Sequence, residues 1–360
     1  MPVKPITYLE WAKLQSQARI NLSRSGVPDL RLRDLPLTLE LTDLEISGRN
    51  PYGYPPLLEA IAERYQVEPD NVVLTQGASQ AIFIIGAGLI EPGDKVIVEK
   101  PAYEPLLAVP GFFRAEILRL ERRFENRFEI DPDDFRRLLG TGAKLVMITN
   151  LHNPSGVWLS RKQIEEMARE AERAGAYLFV DEIYLEFMSQ EAAQTCFGLS
   201  DRIIIASSLT KVYGLGGLRC GWILAPKEVA PLLRSLLDYI VVEGAFISER
   251  LASLIFPCLD ELREKNRAWI EENRKLLRLF MSRQDKLSWV EPDGGVVCFP
   301  QLKDGRSGDE FSRFLKEKAE ISVVPGSFFE AENHFRLGYA VKTEILTSAL
   351  EAIDSLLATW

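Results

Sequence analysis

From about residue 71 to 226 the chain alternates short apolar runs with longer segments in which apolar positions recur at helical spacing. The runs are Val72-Val73-Leu74, Lys95-Val96-Ile97-Val98, Lys144-Leu145-Val146-Met147-Ile148, Tyr177-Leu178-Phe179-Val180 and Ile203-Ile204-Ile205. A strand with one wet face alternates apolar and polar side chains, whereas a strand covered on both faces is apolar throughout. The pattern therefore predicts an α/β fold with a mostly parallel central sheet flanked by helices. Local punctuation agrees. Ser160 followed by Gln163 makes a capping box, and Gly175 follows Ala174 where the next strand begins, which predicts a helix over 160–174.

After about residue 250 the pattern changes to long charged helices, as in Glu261 to Arg283, followed by strand-like pieces at Val296-Val297-Cys298-Phe299 and Ile321-Ser322-Val323-Val324. This predicts a smaller α+β domain. The expected division is a large domain at 46–250, a small domain at 251–360, and an N-terminal segment at 1–45 that contributes to the small one. No Pro/Gly/Ser-rich linker separates the two, so they should share an interface.

Length and composition fit this picture: 360 residues, 46% of them hydrophobic, can bury two cores. The formal charge of −9 opposes broad nucleic-acid binding, which rests on a basic surface. Cys196, Cys220, Cys258 and Cys298 lack CxxC spacing, so neither a metal site nor a disulfide framework is expected. The stretch Ala81 to Ile90 is too short to span a bilayer and the first ten residues lack a long apolar run, so a soluble cytoplasmic protein with no membrane partner is expected.

In open α/β sheets ligands bind beyond the carboxyl ends of the strands. Thr75-Gln76-Gly77-Ala78-Ser79 follows the first run and opens a helix, either as a plain turn or as a phosphate site made of backbone N–H groups and the Ser79 hydroxyl. Asn153-Pro154-Ser155-Gly156 follows the third run as a turn that can present the Asn153 amide to an anionic oxygen. Asp181 ends the fourth run, with Tyr184 three residues on; a helix cap is the alternative role for the acid. The fifth run leads into Ser208-Leu209-Thr210-Lys211, then a glycine-rich turn and Arg219. A lysine among small and apolar residues is poorly hydrated, which lowers its pKa and suits Schiff-base chemistry, while Ser208 and Arg219 suit a phosphate.

Together these residues resemble the class I/II aminotransferases, which have the fold-type I PLP-dependent transferase fold. The resemblance runs over almost the whole chain: Tyr52, Gly77-Ala78-Ser79, Tyr103, Asn153-Pro154-Ser155-Gly156, Asp181-x-x-Tyr184, Ser208-x-x-Lys211, Arg219, and Arg336 in Phe335-Arg336-Leu337-Gly338. It implies pyridoxal 5′-phosphate (PLP) as cofactor, held as a Schiff base on Lys211, which also moves the proton at the substrate Cα. Asp181 would pair with the pyridine nitrogen, Tyr184 and Asn153 would bond the ring's phenolic oxygen, and Tyr103 would stack on the ring. Gly77, Ala78, Ser79, Ser208 and Arg219 would hold the phosphate. Tyr52 would reach that phosphate in the neighbouring subunit of a homodimer with shared active sites. Arg336, with Asn153 and Gly26 nearby, would take the substrate carboxylate. The implied activity moves an amino group between an L-amino acid and a 2-oxo acid.

The sequence departs from the family pattern in places. The segment after Tyr52 is short, so Tyr54 is a second candidate for the phosphate contact, and Leu106 stands where aspartate aminotransferases often carry histidine. His152 and His334 lack partners at metal-ligand spacing and are read as incidental. Gly214-x-Gly216-Gly217 follows a lysine late in the domain, unlike a dinucleotide fingerprint. The alternative reaction is a lyase or a cyclising synthase using the same residues. Side-chain specificity would come from Glu10-Trp11, Arg24 and Tyr239 to Arg250.

Overall fold

The computed structural model describes residues 4–37, 40, 42 and 44–360. Seven strands form the central sheet: β1 (Val72–Thr75), β2 (Lys95–Lys100), β3 (Glu116–Glu121), β4 (Leu145–Thr149), β5 (Tyr177–Asp181), β6 (Ile203–Ser208) and β7 (Gly221–Leu224). Their spatial order is β1-β7-β6-β5-β4-β2-β3. The pairs from β6 to β3 are parallel, and only β7 runs against its neighbours β6 and β1.

Both faces are covered, which is why the strand sequences are continuously apolar. Val73, Val96, Val98, Leu145, Met147, Phe179 and Ile204 pack into one core, and Val72, Leu74, Ile97, Val146, Ile148, Leu178 and Ile205 into the other. Two strands were not among the predicted runs. β3 is an edge strand, Glu-Ile-Leu-Arg-Leu-Glu, whose side chains are mostly half-buried, and β7 is short and opens with Gly221.

The helices used below are α1 (Thr7–Leu14), α2 (Ala78–Leu89), α3 (Arg161–Arg173), α4 (Leu259–Met281), α5 (Gly308–Ala319) and α6 (Thr343–Thr359). The predicted capping box is present at α3: Ser160 N–H donates to Gln163 at 2.9 Å, Gln163 N–H donates to Ser160 Oγ at 3.3 Å, and Gly175 has φ +72°. Beyond α4 a three-stranded antiparallel sheet has the order β8 (Val297–Cys298), β10 (Phe335–Gly338), β9 (Val324–Pro325). It packs against α5. Residues near the N-terminus join this region, since Ile20–Asn21 pairs in parallel with Ile321–Ser322. Among the described residues no helix is long and apolar enough to cross a membrane.

Candidate active site

The carboxyl ends of β4, β5 and β6 deliver Asn153, Asp181 and Lys211 to one side of the sheet, where they line a cavity of about 310 Å³. The reversed strand β7 completes it. Because Gly221 pairs with Thr75, the chain entering β7 passes beside the chain leaving β1, so Arg219 meets Gly77 at the start of α2. An all-parallel sheet would place Arg219 at the opposite edge.

Lys211 is half-buried, and its Nζ donates to Ser25 Oγ at 3.0 Å. Burial lowers its ammonium to about 8, helped by the positive charges of Arg336, Arg24 and Arg219 and opposed by Asp181. Burial pushes the Asp181 carboxyl up to about 7; the Ile183 N–H, at 3.1 Å, and Lys211 hold it down, while Glu99 and Glu182 add to the rise. The helix cap considered as an alternative for Asp181 is not formed: the next helical turn, Leu185–Phe187, has Tyr184 at its N-cap position, and the bond to Ile183 N–H is a local turn contact. Tyr184 is buried beside it with its phenol raised, chiefly by burial.

At one end of the cavity lies an anion cradle. Gly77 has φ +81°, and a Cβ there would stand 2.6 Å from Arg219 Nη2. The first N–H groups of α2 have no partner within the helix, and Ser79 adds a hydroxyl. Arg219 donates to Gln76 O at 2.9 Å and to Gly216 O at 3.2 Å, which aims its guanidinium along this cradle. Ser208 Oγ accepts from Thr210 N–H at 3.2 Å and is buried nearby in the strand end.

At the other end Tyr8, Ser23 and Asn153 line the cavity, and behind them lies Arg336, on β10. Its guanidinium is fully buried and donates to Asn153 Oδ1 at 2.9 Å, Tyr8 Oη at 2.8 Å and Ser23 O at 3.0 Å, yet Nε has no partner among the described residues. Among the described residues no carboxylate pairs with it, so a buried cation stands ready for an anion. Asn153 is held by its own N–H to Thr149 Oγ1 at 3.0 Å. Thr149 in turn donates to Glu99, which forms a fully buried ion pair with Arg122 at 2.7 Å. Tyr103 also lines the cavity, edge-on to Tyr8 at 5.9 Å.

The remaining positions singled out in the sequence lie as follows. Gly26 packs on Lys211 itself: a Cβ there would stand 3.1 Å from the lysine Cδ and 3.2 Å from its Cα. Tyr52 has φ +57°, is largely exposed, donates to Asp238 at 3.1 Å, and lines a second cavity on the far side of Arg219. Tyr54 instead packs its ring on Phe246 at 5.4 Å. His152 is buried between Ser155 Oγ at 2.6 Å and Pro101 O at 3.0 Å, and His334 stacks on Phe299 at 4.6 Å. Leu106 is core. Tyr8 and Ser25 were not singled out by the sequence, although Ser25 adjoins Gly26.

A family model for aminotransferases of class I and II matches residues 40–353. The chain belongs to this family. An aspartate aminotransferase of Pyrococcus horikoshii is 27% identical over 85% of this chain and 81% of its own length. A capreomycidine synthase of Streptomyces vinaceus is 29% identical over 100% of this chain and 95% of its own. The crystal structure of the PLP-dependent cyclase OrfR superposes with a TM-score of 0.91 at 26% identity, covering 100% of this chain and 98% of that one. As a class I/II aminotransferase-family enzyme, the protein uses PLP. Its residues fit that group: an anion cradle that a Cβ at Gly77 would fill, a half-buried amine for the aldehyde, and a buried acid for the ring nitrogen.

Proposed function

We propose that the protein moves an amino group between an L-amino acid and a 2-oxo acid, with Lys211 as the residue that binds the cofactor and shifts the substrate's Cα proton. The observation that carries this reading is the placement of one half-buried, easily deprotonated amine between an anion cradle and the buried Arg336. PLP supplies an electron sink for charge developing at Cα. Asp181 keeps the ring nitrogen protonated. Tyr184 and Asn153 hold the ring's phenolic oxygen, and Tyr103 covers one face. The backbone at Gly77 and Ala78, with Ser79, Ser208 and Arg219, grips the phosphate. Arg336 fixes the substrate carboxylate through a planar fork that lysine lacks, which orients the Cα–H bond toward Lys211 Nζ. Gly26 permits the N-terminal segment to close on Lys211.

We further propose a cytoplasmic homodimer in which the partner's tyrosine, Tyr52 or Tyr54, completes the phosphate site. The large domain at 46–250 would carry the cofactor, and 251–360, completed by 1–45, would close over the substrate.

A second reading is supported by the synthase and the cyclase, both of which match this chain end to end. In it the same proton removal leads to cyclisation or loss of a leaving group. A half-reaction screen separates the two. Each amino acid is mixed with holoenzyme, and the cofactor and products are followed by absorbance and mass spectrometry. Accumulation of pyridoxamine phosphate with a 2-oxo acid supports transamination. A cyclised or eliminated product with no pyridoxamine phosphate, across every amino acid, would sink it in favour of the second reading.

A further inference from the structure

Lys211 Nζ stands in a cavity with Asp181, yet its only hydrogen-bond partner among the described residues is Ser25 Oγ, at 3.0 Å. That contact is prepared by the fold. Val27 N–H donates to Lys211 O at 3.0 Å, and Gly26 lies so close to the lysine that no side chain would fit there without a shift. Farther along, Leu30 N–H donates to Gly214 O at 3.0 Å. The segment from Ser25 to Leu30 is thus pinned to the lysine loop by its backbone, and the Ser25 hydroxyl is set against Nζ as a consequence. Ser25 is itself only 8% exposed.

We propose that Ser25 is a further catalytic residue: when the Lys211 amine is free, the Ser25 hydroxyl accepts one of its N–H groups and so aims the nitrogen lone pair at the substrate. This rests on Lys211 being the base proposed above. A neutral primary amine has two N–H bonds and one lone pair, and rotation about Cε–Nζ decides where the lone pair points. With Ser25 as acceptor on one side, the lone pair turns away from Ser25 and into the cavity. Ser25 transfers no proton in this role. The charged groups around Nζ are Arg336, Arg24, Asp181 and Arg219, and none of them offers a direct bond that would replace it.

The test reads the amine itself before it reads turnover. In apoenzyme, acetic anhydride labelling of Lys211 is measured against pH by mass spectrometry. A hydroxyl acceptor favours the charged amine, so in Ser25→Ala, and in the isosteric Ser25→Cys, the midpoint should fall by roughly half a pH unit or more. Ser25→Thr, which keeps the hydroxyl, should follow the wild type. In holoenzyme, Ser25→Ala should lower kcat about tenfold, with KM for the amino donor within about twofold. If Ser25→Ala does not fold, the cysteine variant is read in both assays. A labelling curve identical to wild type, or an unchanged kcat, overturns the proposal. Should wild-type holoenzyme fail the half-reaction with every amino acid, the reaction assignment falls while the labelling still decides the role of Ser25.

Discussion

Asp181 and Lys211 are brought close to neutrality from opposite directions, the acid raised to about 7 and the amine lowered to about 8, both mainly by burial. In the roles proposed for them, the neutral Lys211 amine would react with the cofactor's aldehyde and the ionised Asp181 would pair with its ring nitrogen. Both forms gain population as pH rises, so the rate at which apoenzyme takes up PLP should climb from pH 6 to pH 9, measured by stopped-flow absorbance. A flat profile would count against these environments. The stability consequence has its own sign. Asp181 in the folded chain holds its proton more tightly than in the unfolded chain, so folding loses stability as pH rises from the ordinary carboxylate range through about 7. Asp181→Asn should therefore make the apoenzyme more stable than wild type at pH 8, by about 1–3 kcal/mol, with the gap closing toward pH 4 in urea melts. The same variant should lose most turnover. Lys211→Ala should abolish the PLP adduct fixed by borohydride, as checked by peptide mass mapping.

At the scale of elements, α1 covers the carboxylate end of the cavity, and its start is held from far away. Glu104 accepts from Thr7 N–H and Thr7 Oγ1, each at 3.0 Å, and from Tyr8 N–H, acting as the cap that Ile6 cannot provide. Tyr8 in turn bonds Arg336. Glu104→Ala should therefore raise KM for the amino donor several-fold while costing only about 1 kcal/mol of stability, because Tyr8 loses its fixed approach to Arg336. An unchanged KM would separate α1 from substrate binding. This helix also shows where the sequence stopped being legible. Lys211, Asp181 and Asn153 were readable because each follows a buried strand, and strands buried on both faces announce themselves. Strand β3 escaped because Glu116, Arg119 and Glu121 break up its apolar run, and β7 because it is short and opens with Gly221. Tyr8 and Ser25 escaped because their partners, Arg336 and Lys211, are 328 and 186 residues away, and no local pattern encodes such a meeting. Gly26 hinted at close approach, but that it packs on the lysine needed the fold.

On the whole molecule, exposed apolar side chains gather beside the phosphate cradle. Tyr239 is 87% exposed and Val242 69%, with Ile240 and Leu232 also open to solvent, and Val242 and Tyr52 line the cavity that adjoins Arg219. A single subunit leaves this surface wet, at a cost that association would relieve. It also leaves Tyr52 bonded to Asp238, away from its own cofactor cavity, in a left-handed backbone conformation uncommon for a bulky residue. Both features make sense if two copies pack here and each extends its tyrosine to the other's phosphate. Replacing Tyr239 and Val242 together by Asp should then give monomers in sedimentation velocity. Those monomers should also release PLP faster than wild type on dilution, because the partner's contact is lost with the interface. Tyr52→Phe should speed PLP release while leaving the dimer intact; if Tyr54→Phe does so instead, the cross-subunit contact belongs to Tyr54. Monomers that hold PLP as tightly as wild type would confine the whole phosphate site to one chain.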